Sequence, residues 1–153
     1  MSGEQIEIRE LSPGDEAILA TAPPREVFDD DVDMEATRNF LADPSHHIVV
    51  ALDDAIVVGF ISAVHYHHPD KMRPELWINE VGVAATHRGR GIGRAMMGAI
   101  LDLGRRHGCD QAWVLTDRGN EAANRLYASV EGALELEDCV MYTFTLASSP
   151  KRV

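Results

Sequence analysis

The stretch from residue 88 to residue 94, RGRGIGR, holds the residues whose types and spacing point most directly to chemistry. It contains three glycines and three arginines, and it stands immediately before an apolar, helix-like segment. Glycine lets the backbone approach a ligand without a Cβ in the way, and the amide groups at the start of a helix attract anions. Arginine adds positive charge and paired hydrogen-bond donors at the rim. The pattern therefore predicts a phosphate-binding loop.

Two well-known phosphate-binding loops do not match this stretch. A P-loop ends in Lys followed by Ser or Thr, and their absence disfavours a nucleoside triphosphatase. The dinucleotide fingerprint reads GxGxxG in an early βαβ unit, whereas this chain has GxGxG near its middle. A glycine turn that only caps a helix beside surface arginines stays open as the structural alternative.

The loop needs a strand before it and a helix after it, and the sequence predicts both. Residues 75–83, ELWINEVGV, alternate apolar and polar side chains in the manner of a strand. From Ile92 to Leu103 the apolar residues recur with the helical period, and this amphipathic helix is expected to end near His107 and Gly108.

Further elements are predicted on both sides of this unit. Strands are expected at 5–10, 47–52, 55–67, 111–116, 133–137 and 139–146. Helices are expected at 12–22, 34–43 and 120–130. Ser12 is the expected cap of the first of these helices, with Pro13 in its first turn, and Asn120 is the expected cap of the last. This order predicts an α/β (α+β) fold in which a central mixed sheet carries helices on both faces.

Length and charge limit the classes of function. At 153 residues the chain has the size of one domain, and we expect a single domain over 1–153. A formal net charge of −11 disfavours nucleic acid and anionic membranes as partners and favours a cationic one. No apolar run approaches the roughly 18 residues of a membrane span, and the N-terminus does not resemble a secretory signal, so a cytoplasmic location is expected.

The sequence does not predict a metal site. Cys109 and Cys139 lie far apart without CxxC spacing, and we interpret them as packing residues. His65 and His67 share a strand face in the stretch HYHH, but no carboxylate or cysteine is arranged to complete a ligand set. A surface cluster at the end of a strand is the favoured interpretation.

The segment NEVGVAATHRGRGIGRAMMGAIL resembles the acetyl-CoA loop of the GNAT N-acetyltransferases, whose signature Arg/Gln-x-x-Gly-x-Gly/Ala appears here as Arg88-x-x-Gly91-x-Gly93. A second segment, GNEAANRLYASVEGA, resembles the Asn-rich helix of the family that carries a Tyr and is followed by a Gly. The resemblance covers about His46 to Leu146. It implies the GNAT fold, with a twisted, mostly antiparallel sheet, and acetyl-CoA as cosubstrate without a metal.

The resemblance also implies which residues hold the acetyl donor. A strand bulge of the family, before the loop, would let the backbone N–H near Val81 polarise the thioester carbonyl, and the N–H and C=O around Val83 would pair with pantetheine. The loop would hold the phosphates, and two asparagines would lie along CoA. These residues are Val81, Gly82, Val83, Arg88, Gly89, Arg90, Gly91, Ile92, Gly93, Arg94, Asn120 and Asn124. For Asn120, a role as helix cap alone is the alternative.

Acetyl transfer to an amine requires a base, because a lysine-like amine has a pKa of about 10 and is protonated near neutral pH. Glu80 is the candidate base, acting directly or through a water. The alternation in 75–83 places it on one face with Leu76 and Ile78, so we expect a carboxylate among apolar neighbours beside the thioester. A strand-end carboxylate that only binds a cation is the alternative.

Tyr127 corresponds to the tyrosine from which the family supplies a proton to the departing CoA thiolate. The alternative is a core aromatic residue, because Ala123, Leu126, Tyr127 and Val130 share one helical face. The family usually has three residues between this tyrosine and the following glycine, whereas four separate Tyr127 from Gly132 here.

The expected acceptor is a small cationic amine. Asp29, Asp30 and Asp31 lie in the region that overhangs the acceptor cleft in this family, although a solvated acidic loop is the alternative. The chain looks most like aminoglycoside 3-N-acetyltransferases, and polyamine acetyltransferases are also similar. A protein or peptide N-acetyltransferase and a non-catalytic acyl-CoA sensor stay open. The resemblance further implies a homodimer.

Overall fold

The computed structural model describes residues 5–134 and 138–147. Its strands are β1 (Glu7–Glu10), β2 (His46–Asp53), β3 (Ile56–Tyr66), β4 (Glu75–Val83) and β5 (Gln111–Val114). Its helices are α1 (Glu16–Leu19), α2 (Met34–Ala42), α3 (Ile92–Arg106) and α4 (Glu121–Ser129), with a 3₁₀ turn at Ala85–His87.

The described strands form one sheet of five strands in the order β1-β2-β3-β4-β5. The first three pairings are antiparallel, and only β4 and β5 run parallel. Helix α3 contacts β2, β3 and β4. Helix α1 contacts β3, and helix α2 contacts β2. The predicted mixed, mostly antiparallel sheet is therefore confirmed.

Two neighbouring residues of β3 show that the helices cover both faces. A Cβ on Gly59 would lie 3.2 Å from Met96 of α3, so this residue faces α3. The next residue, Phe60, faces the other way, as successive strand residues do. Its ring lies 4.1 Å, centroid to centroid, from that of Phe28, which precedes α2 in the chain.

The core lies mainly between α3 and the sheet. The side chains of Ile61, Leu76, Met96, Ile100 and Leu103 are fully buried there. Strand β2 is buried without interruption from His47 to Leu52, because both of its faces are covered. The apolar stripe predicted for α3 is thus the face that holds this helix on the sheet.

The ends of α2, α3 and α4 follow local signals in the sequence. Asp33 caps α2 by accepting a 2.7 Å hydrogen bond from the backbone N–H of Ala36. Helix α3 ends at His107, followed by Gly108 at φ 81°, as the sequence predicts. Asn120 caps α4, which also agrees with the prediction.

The prediction for the first helix was wrong in its start. Ser12 does not cap a helix; its backbone N–H donates to the Asp15 carboxylate at 2.9 Å, which closes a turn. Gly14 adopts φ 103°, outside the helical range, so the chain cannot continue as a helix through this point. Helix α1 therefore begins only at Glu16 and has four residues.

The prediction of a closing strand at 139–146 was also wrong. These residues form no strand in the part of the chain that the structure describes, and the side chains of Val140, Met141, Tyr142, Phe144 and Leu146 are exposed. β-Branched and aromatic residues form a strand only where a neighbouring strand supplies hydrogen-bond partners. Within the strand predicted at 133–137, residues 135–137 lie outside the described residues.

The cysteines are both free thiols, and only one of them packs as predicted. Cys109 is half-buried and contacts the core, and burial raises the pKa of its thiol. Cys139 is exposed, because its segment does not join the sheet. Among the described helices, none has the length and apolar character needed to span a bilayer.

Replacement of Gly82 by Ala tests how closely the far-face segment packs on β4. A Cβ at this position would lie 2.6 Å from the carbonyl oxygen of Val27 and 2.8 Å from Phe60, so the backbone must move. We expect a loss of about 2 kcal/mol in the free energy of unfolding, measured by urea denaturation. The control is Gly98→Ala, because a Cβ there meets nothing within 4 Å and Ala favours a helix. Equal free energies of unfolding for the two variants would contradict the close contact of Val27 and Phe60 with Gly82.

Candidate active site

The pairing of β4 with β3 is interrupted by one extra residue. Ser62 lies opposite Glu80, whereas the next residue of β3, Ala63, lies opposite Ile78. Asn79 therefore has no counterpart on β3, and β4 contains a β-bulge at this point. A bulge changes the faces to which the following side chains point.

The other edge of β4 is open beyond the bulge. Strand β5 pairs with β4 only from Glu75 to Ile78, where Val114 forms the last pair. Residues 79–83 have no strand opposite them on that side within the described chain. Backbone N–H and C=O groups at such an edge can bind an extended polar ligand or polarise a carbonyl.

Glu80 does not lie with Leu76 and Ile78, contrary to the prediction from alternation. Ile78 shares a face with Ala63, while Glu80 shares the opposite face with Ser62. The bulge causes this reversal, because it inserts one residue into a pattern with a period of two. Leu76 and Ile78 are buried and Glu80 is exposed. The carboxylate therefore faces solvent at the bulge and is not surrounded by apolar side chains.

The glycine loop has the backbone conformation that an anion site at a helix start requires. Gly89 and Gly91 adopt φ values of 75° and 78°, and Gly91 is the N-cap of α3. A Cβ on either residue would meet nothing within 4 Å, so the backbone conformation and not the space demands glycine there. The first turn of α3 has no acidic residue and no side-chain cap, which leaves its amide groups oriented towards the loop.

The arginines of the loop are exposed, and one of them links the loop to the strand. The Nε–H of Arg88 donates to the carbonyl oxygen of Val83 at 3.2 Å. Arg90 and Arg94 are also exposed beside the start of α3. The loop thus combines the positive end of a helix dipole with three cationic side chains.

A hydrogen bond between residues that are distant in the sequence holds the 3₁₀ turn before the loop. Nε2 of His87 lies 2.6 Å from the Asp53 carboxylate, and its Nδ1 lies 2.8 Å from Oγ1 of Thr86. Asp53 ends β2, so this contact connects the β2–β3 hairpin to the segment that leads into the loop. The residues are distant in sequence, and no local pattern indicates their contact.

Gly93 has a different role from the other loop glycines. A Cβ there would lie 3.2 Å from Cδ2 of Leu126, so Gly93 lets α4 approach the start of α3. Tyr127, the next residue of α4, is half-buried and packs against the core. Burial raises the pKa of its phenol, which therefore stays protonated near neutral pH and can donate a hydrogen bond.

The end of α4 explains the unusual spacing between Tyr127 and Gly132. Glu131 adopts φ 66°, and the backbone N–H of Gly132 donates to the carbonyl oxygen of Tyr127 at 2.9 Å. This is a left-handed helix end of the kind that normally uses glycine. A Cβ on Gly132 would lie 2.8 Å from the same oxygen, so glycine is required one position after the left-handed residue.

The two asparagines of α4 are engaged in local structure. Oδ1 of Asn120 accepts the N–H of Ala123 at 3.1 Å, which is the capping bond. Nδ2 of Asn124 donates to the carbonyl oxygens of Asn120, Asp117 and Arg118 at 2.8, 3.1 and 3.3 Å. Both side chains thus shape the turn before α4.

The acidic segment before α2 lies on the face of the sheet to which Glu80 points. Its start is fixed at Val27, which contacts Gly82, and at Phe28, which contacts Phe60. Gly82 shares this face with Glu80, since the two alternate normally beyond the bulge. Asp29, Asp30 and Asp31 follow directly and are exposed.

Aromatic residues that were not predicted as part of the site lie on the same face of the sheet as Glu80. Trp77 and Trp113 stack with ring centroids 5.2 Å apart and planes 8° from parallel, and both are half-exposed. Nε1–H of Trp113 donates to the Tyr66 hydroxyl at 2.7 Å, and this hydroxyl lies 3.2 Å from the Glu75 carboxylate. The surface presents aromatic faces and a carboxylate, both of which attract cations. The alternation in residues 75–83 could have indicated this, because it places Trp77 on the face of the strand that Leu76 and Ile78 do not share.

Solved structures with the same fold include acetyltransferases with different acceptors. An aminoglycoside acetyltransferase from an uncultured soil metagenomic sample, in complex with sisomicin, superposes with a TM-score of 0.81 at 19% identity, over 93% of this chain and 97% of that one. Aminoglycoside N-acetyltransferase AAC(6')-Iy in complex with CoA gives 0.75 at 17% identity, over 93% and 96%. A ribosomal-protein-alanine N-acetyltransferase from Brucella melitensis gives 0.70 at 20%, over 91% and 100%. At such identities the likeness concerns the fold alone.

Sequence comparison identifies the family. N-acetyltransferase 8 of Rattus norvegicus is 27% identical over 96 residues, which are 63% of this chain but 43% of that protein. The match thus covers less than half the length of this relative. The family model described as "Acetyltransferase (GNAT) family" matches residues 15–132, which include the bulge, the glycine loop and α4. The chain belongs to the acetyltransferase (GNAT) family.

Proposed function

We propose that this chain is an N-acetyltransferase that transfers acetyl from acetyl-CoA to a primary amine of a small cationic acceptor, by direct attack in a ternary complex. The observation that carries the proposal is the open edge of β4 at residues 79–83, which leads through the Arg88–Val83 contact into the amide-rich start of α3. An extended thioester with a phosphorylated end requires such a continuous backbone surface.

The donor would lie along this surface. Val81, Gly82 and Val83 supply backbone groups at the open edge, and the amide near Val81 is the proposed donor to the thioester carbonyl. The loop from Arg88 to Arg94 is the proposed phosphate site. Asn120 and Asn124 would contribute indirectly, because their side chains hold the turn before α4.

Two side chains are proposed to move the protons of the reaction. The acceptor amine must lose a proton before it attacks, and the exposed Glu80 carboxylate at the bulge is the proposed base, directly or through a water. The CoA thiolate leaves as the C–S bond breaks, and the Tyr127 phenol is the proposed proton donor to it. Burial, which keeps this phenol protonated, supports the role.

The acceptor is proposed to be aminoglycoside-like because negative and aromatic groups lie on the face of the sheet to which Glu80 points. Asp29, Asp30 and Asp31 are exposed on this face, and the Trp77–Trp113 pair offers aromatic surface. The net charge of −11 would also draw a polycation towards the protein. Two of the structurally similar proteins are named aminoglycoside acetyltransferases, which agrees with this choice.

The proposal is tested by thiol release from acetyl-CoA with a panel of aminoglycosides, spermidine, spermine, lysine analogues and N-terminal peptides. Turnover confined to aminoglycosides is the expected result. Turnover with polyamines or peptides alone would show that the acceptor is a polyamine or a peptide and not an aminoglycoside. Stabilisation by acetyl-CoA without turnover across the panel would favour a non-catalytic acyl-CoA sensor.

The proposed assembly is a homodimer of single domains spanning 1–153. The exposed apolar side chains between Val140 and Leu146 support association, because a monomer gains nothing from exposing them together. Light scattering coupled to gel filtration is expected to give twice the chain mass, and the mass of one chain would exclude the dimer.

Gly91→Trp is expected to weaken acetyl-CoA binding by more than about tenfold, because the indole would occupy the open space before the amides of α3. The measurement is isothermal titration with acetyl-CoA. Gly108→Trp is the matched control, since Gly108 also has a positive φ and open space but lies beyond the other end of α3. Normal affinity in Gly91→Trp would place the phosphate site elsewhere.

Tyr127→Phe is expected to lower kcat by about a hundredfold with little change in acetyl-CoA affinity, because it removes the proton donor but keeps the packed ring. Steady-state kinetics with the best acceptor of the panel measure both quantities. Tyr142→Phe is the control, because Tyr142 is exposed in the segment after α4. An unchanged kcat would remove Tyr127 from the mechanism.

Glu80→Gln is expected to lower kcat/KM by about a hundredfold near neutral pH and to flatten the acidic limb of the pH–rate profile, because the amide cannot accept the proton. The control is Glu7→Gln, which removes a strand carboxylate at the far edge of the sheet. A variant that keeps both the rate and the acidic limb would exclude Glu80 as the base.

A further inference from the structure

Three histidines that are distant in the sequence meet at the end of the core opposite to the glycine loop. His47 lies in β2, His65 in β3, and His107 directly after the last turn of α3. Nε2 of His47 lies 2.7 Å from Nδ1 of His65. The ring centroid of His107 lies 4.5 Å from that of His47 and 4.9 Å from that of His65.

The fold fixes two of these side chains on the face that α3 covers. His65 is opposite Leu76, which contacts Gly104 of α3, and His47 is opposite Ala63 on the same face. His107 reaches the pair because α3 ends over these two strands. Their positions thus follow from the packing of α3 on the sheet.

We propose that His47, His65 and His107 form a binding site for a divalent transition-metal ion of the zinc class. One nitrogen from each residue lies within 4.8 Å of the other two, so three imidazole nitrogens are close enough to bind one ion after small side-chain rotations. Ligands bound at about 2.1 Å to a tetrahedral ion are about 3.4 Å apart. The hydrogen-bonded pair of His47 and His65, at 2.7 Å, must therefore open by about 0.7 Å on metal binding. The outermost pair must close, and the exposed His107 side chain can rotate to do so.

The chemistry of the ligands selects the ion. Three neutral imidazoles suit Zn²⁺, Co²⁺, Ni²⁺ and Cu²⁺, whereas Mg²⁺ and Ca²⁺ require oxygen ligands. Three protein ligands leave a fourth tetrahedral position for water or another ligand. The negative end of the α3 dipole adds a favourable field for a cation at His107.

The protonation of the two inner histidines agrees with metal binding. Burial, with smaller contributions from His107 and His65, lowers the pKa of His47 to about 4, and burial also lowers the pKa of His65. Both imidazoles are therefore neutral at pH 7, as metal ligands must be.

Both acidic and basic groups act on the histidines of this site. Glu10 contributes negative potential at His47 and forms a 2.8 Å ion pair with Arg106, and Asp43 contributes negative potential at His65. His46 and His67 are the other titratable groups that act on the pair. Glu10 and Asp43 are thus the carboxylates that contribute negative potential at the site.

The site is separate from the proposed acetyl-transfer site. It lies at the C-terminal end of α3, and the glycine loop lies at the N-terminal end. A helix of 15 residues is about 22 Å long, so a metal ion there cannot reach the thioester. It would instead join the end of α3 to β2 and β3 and stabilise the fold.

The test uses untagged, EDTA-treated protein of the full chain, titrated with ZnCl₂ in a calorimeter. We expect one Zn²⁺ per chain, and an increase of several degrees in the thermal midpoint in the presence of excess ZnCl₂. CoCl₂ should give the visible absorption of tetrahedral Co²⁺. Absence of any Zn²⁺ binding would overturn the proposal.

Variants identify the ligands. His107→Ala changes an exposed residue and is expected to fold normally while it lowers the affinity for Zn²⁺ at least tenfold, and His65→Ala should do the same. His67→Ala is the matched control, because His67 is exposed and lies two residues after His65, just beyond the end of β3. Retention of full affinity in His107→Ala, or an equal loss in His67→Ala, would show that the ligand set is wrong.

Acetyl transfer serves as an independent measurement. EDTA treatment is expected to leave the kcat of the panel assay unchanged at a temperature well below the thermal midpoint. A loss of turnover on metal removal that ZnCl₂ restores would contradict the separation of the two sites. The metal titration itself does not depend on whether the proposed acetyltransferase activity is found.

Discussion

The site depends on one extra residue in β4. Because Asn79 has no counterpart on β3, the side chains that follow it change face, and Glu80 turns from the α3 side to the side of Ser62. At the same level β5 ends, so β4 passes from an interior strand to an open edge. A carboxylate, an open backbone edge and the approach to the glycine loop are thereby brought together within residues 79–83.

Helix α3 organises the molecule on either side of this point. Its apolar stripe carries the buried residues Ile92, Met96, Ile100 and Leu103, which hold it across β2, β3 and β4. Its first turn, with Gly91 in the left-handed conformation, faces the loop arginines, and its last turn leads to His107. A single dipole thus presents a positive end to a proposed anion site and a negative end to a proposed cation site.

Long periodic segments were predictable because each carries its own signal. The nine residues of β4 and the apolar stripe of α3 were predicted at the correct places, and Asn120 was predicted as the cap of α4 from its residue type. The family resemblance implies a bulge before the loop, and β4 has one. Its position at Asn79 was not predictable, since an inserted residue leaves no mark on alternation until the pairing with β3 is known. Contacts between distant segments, such as that of His47, His65 and His107, were hidden for the same reason.

Other errors came from patterns that need a partner to become structure. Residues 139–146 are rich in β-branched and aromatic side chains, but composition does not supply the neighbouring strand. Ser12 has the right type for a cap, but Gly14 follows it and stops the helix. Gly93 fits the phosphate-loop signature, yet the structure requires its lack of a side chain for contact with Leu126. One signature therefore contains residues selected by conformation and residues selected by packing.

The way in which the far face of the sheet is covered has a consequence for how such a scaffold can diversify. Residues 11–42 contribute two short helices and only a few buried apolar side chains, chiefly Leu11, Leu19, Val27 and Leu41. Exposed positions between these anchors can accumulate substitutions at little thermodynamic cost, while β4 and α3 cannot. Substitutions can therefore change the surface proposed to meet the acceptor and leave the proposed donor surface unchanged, so that one architecture can accommodate different amines.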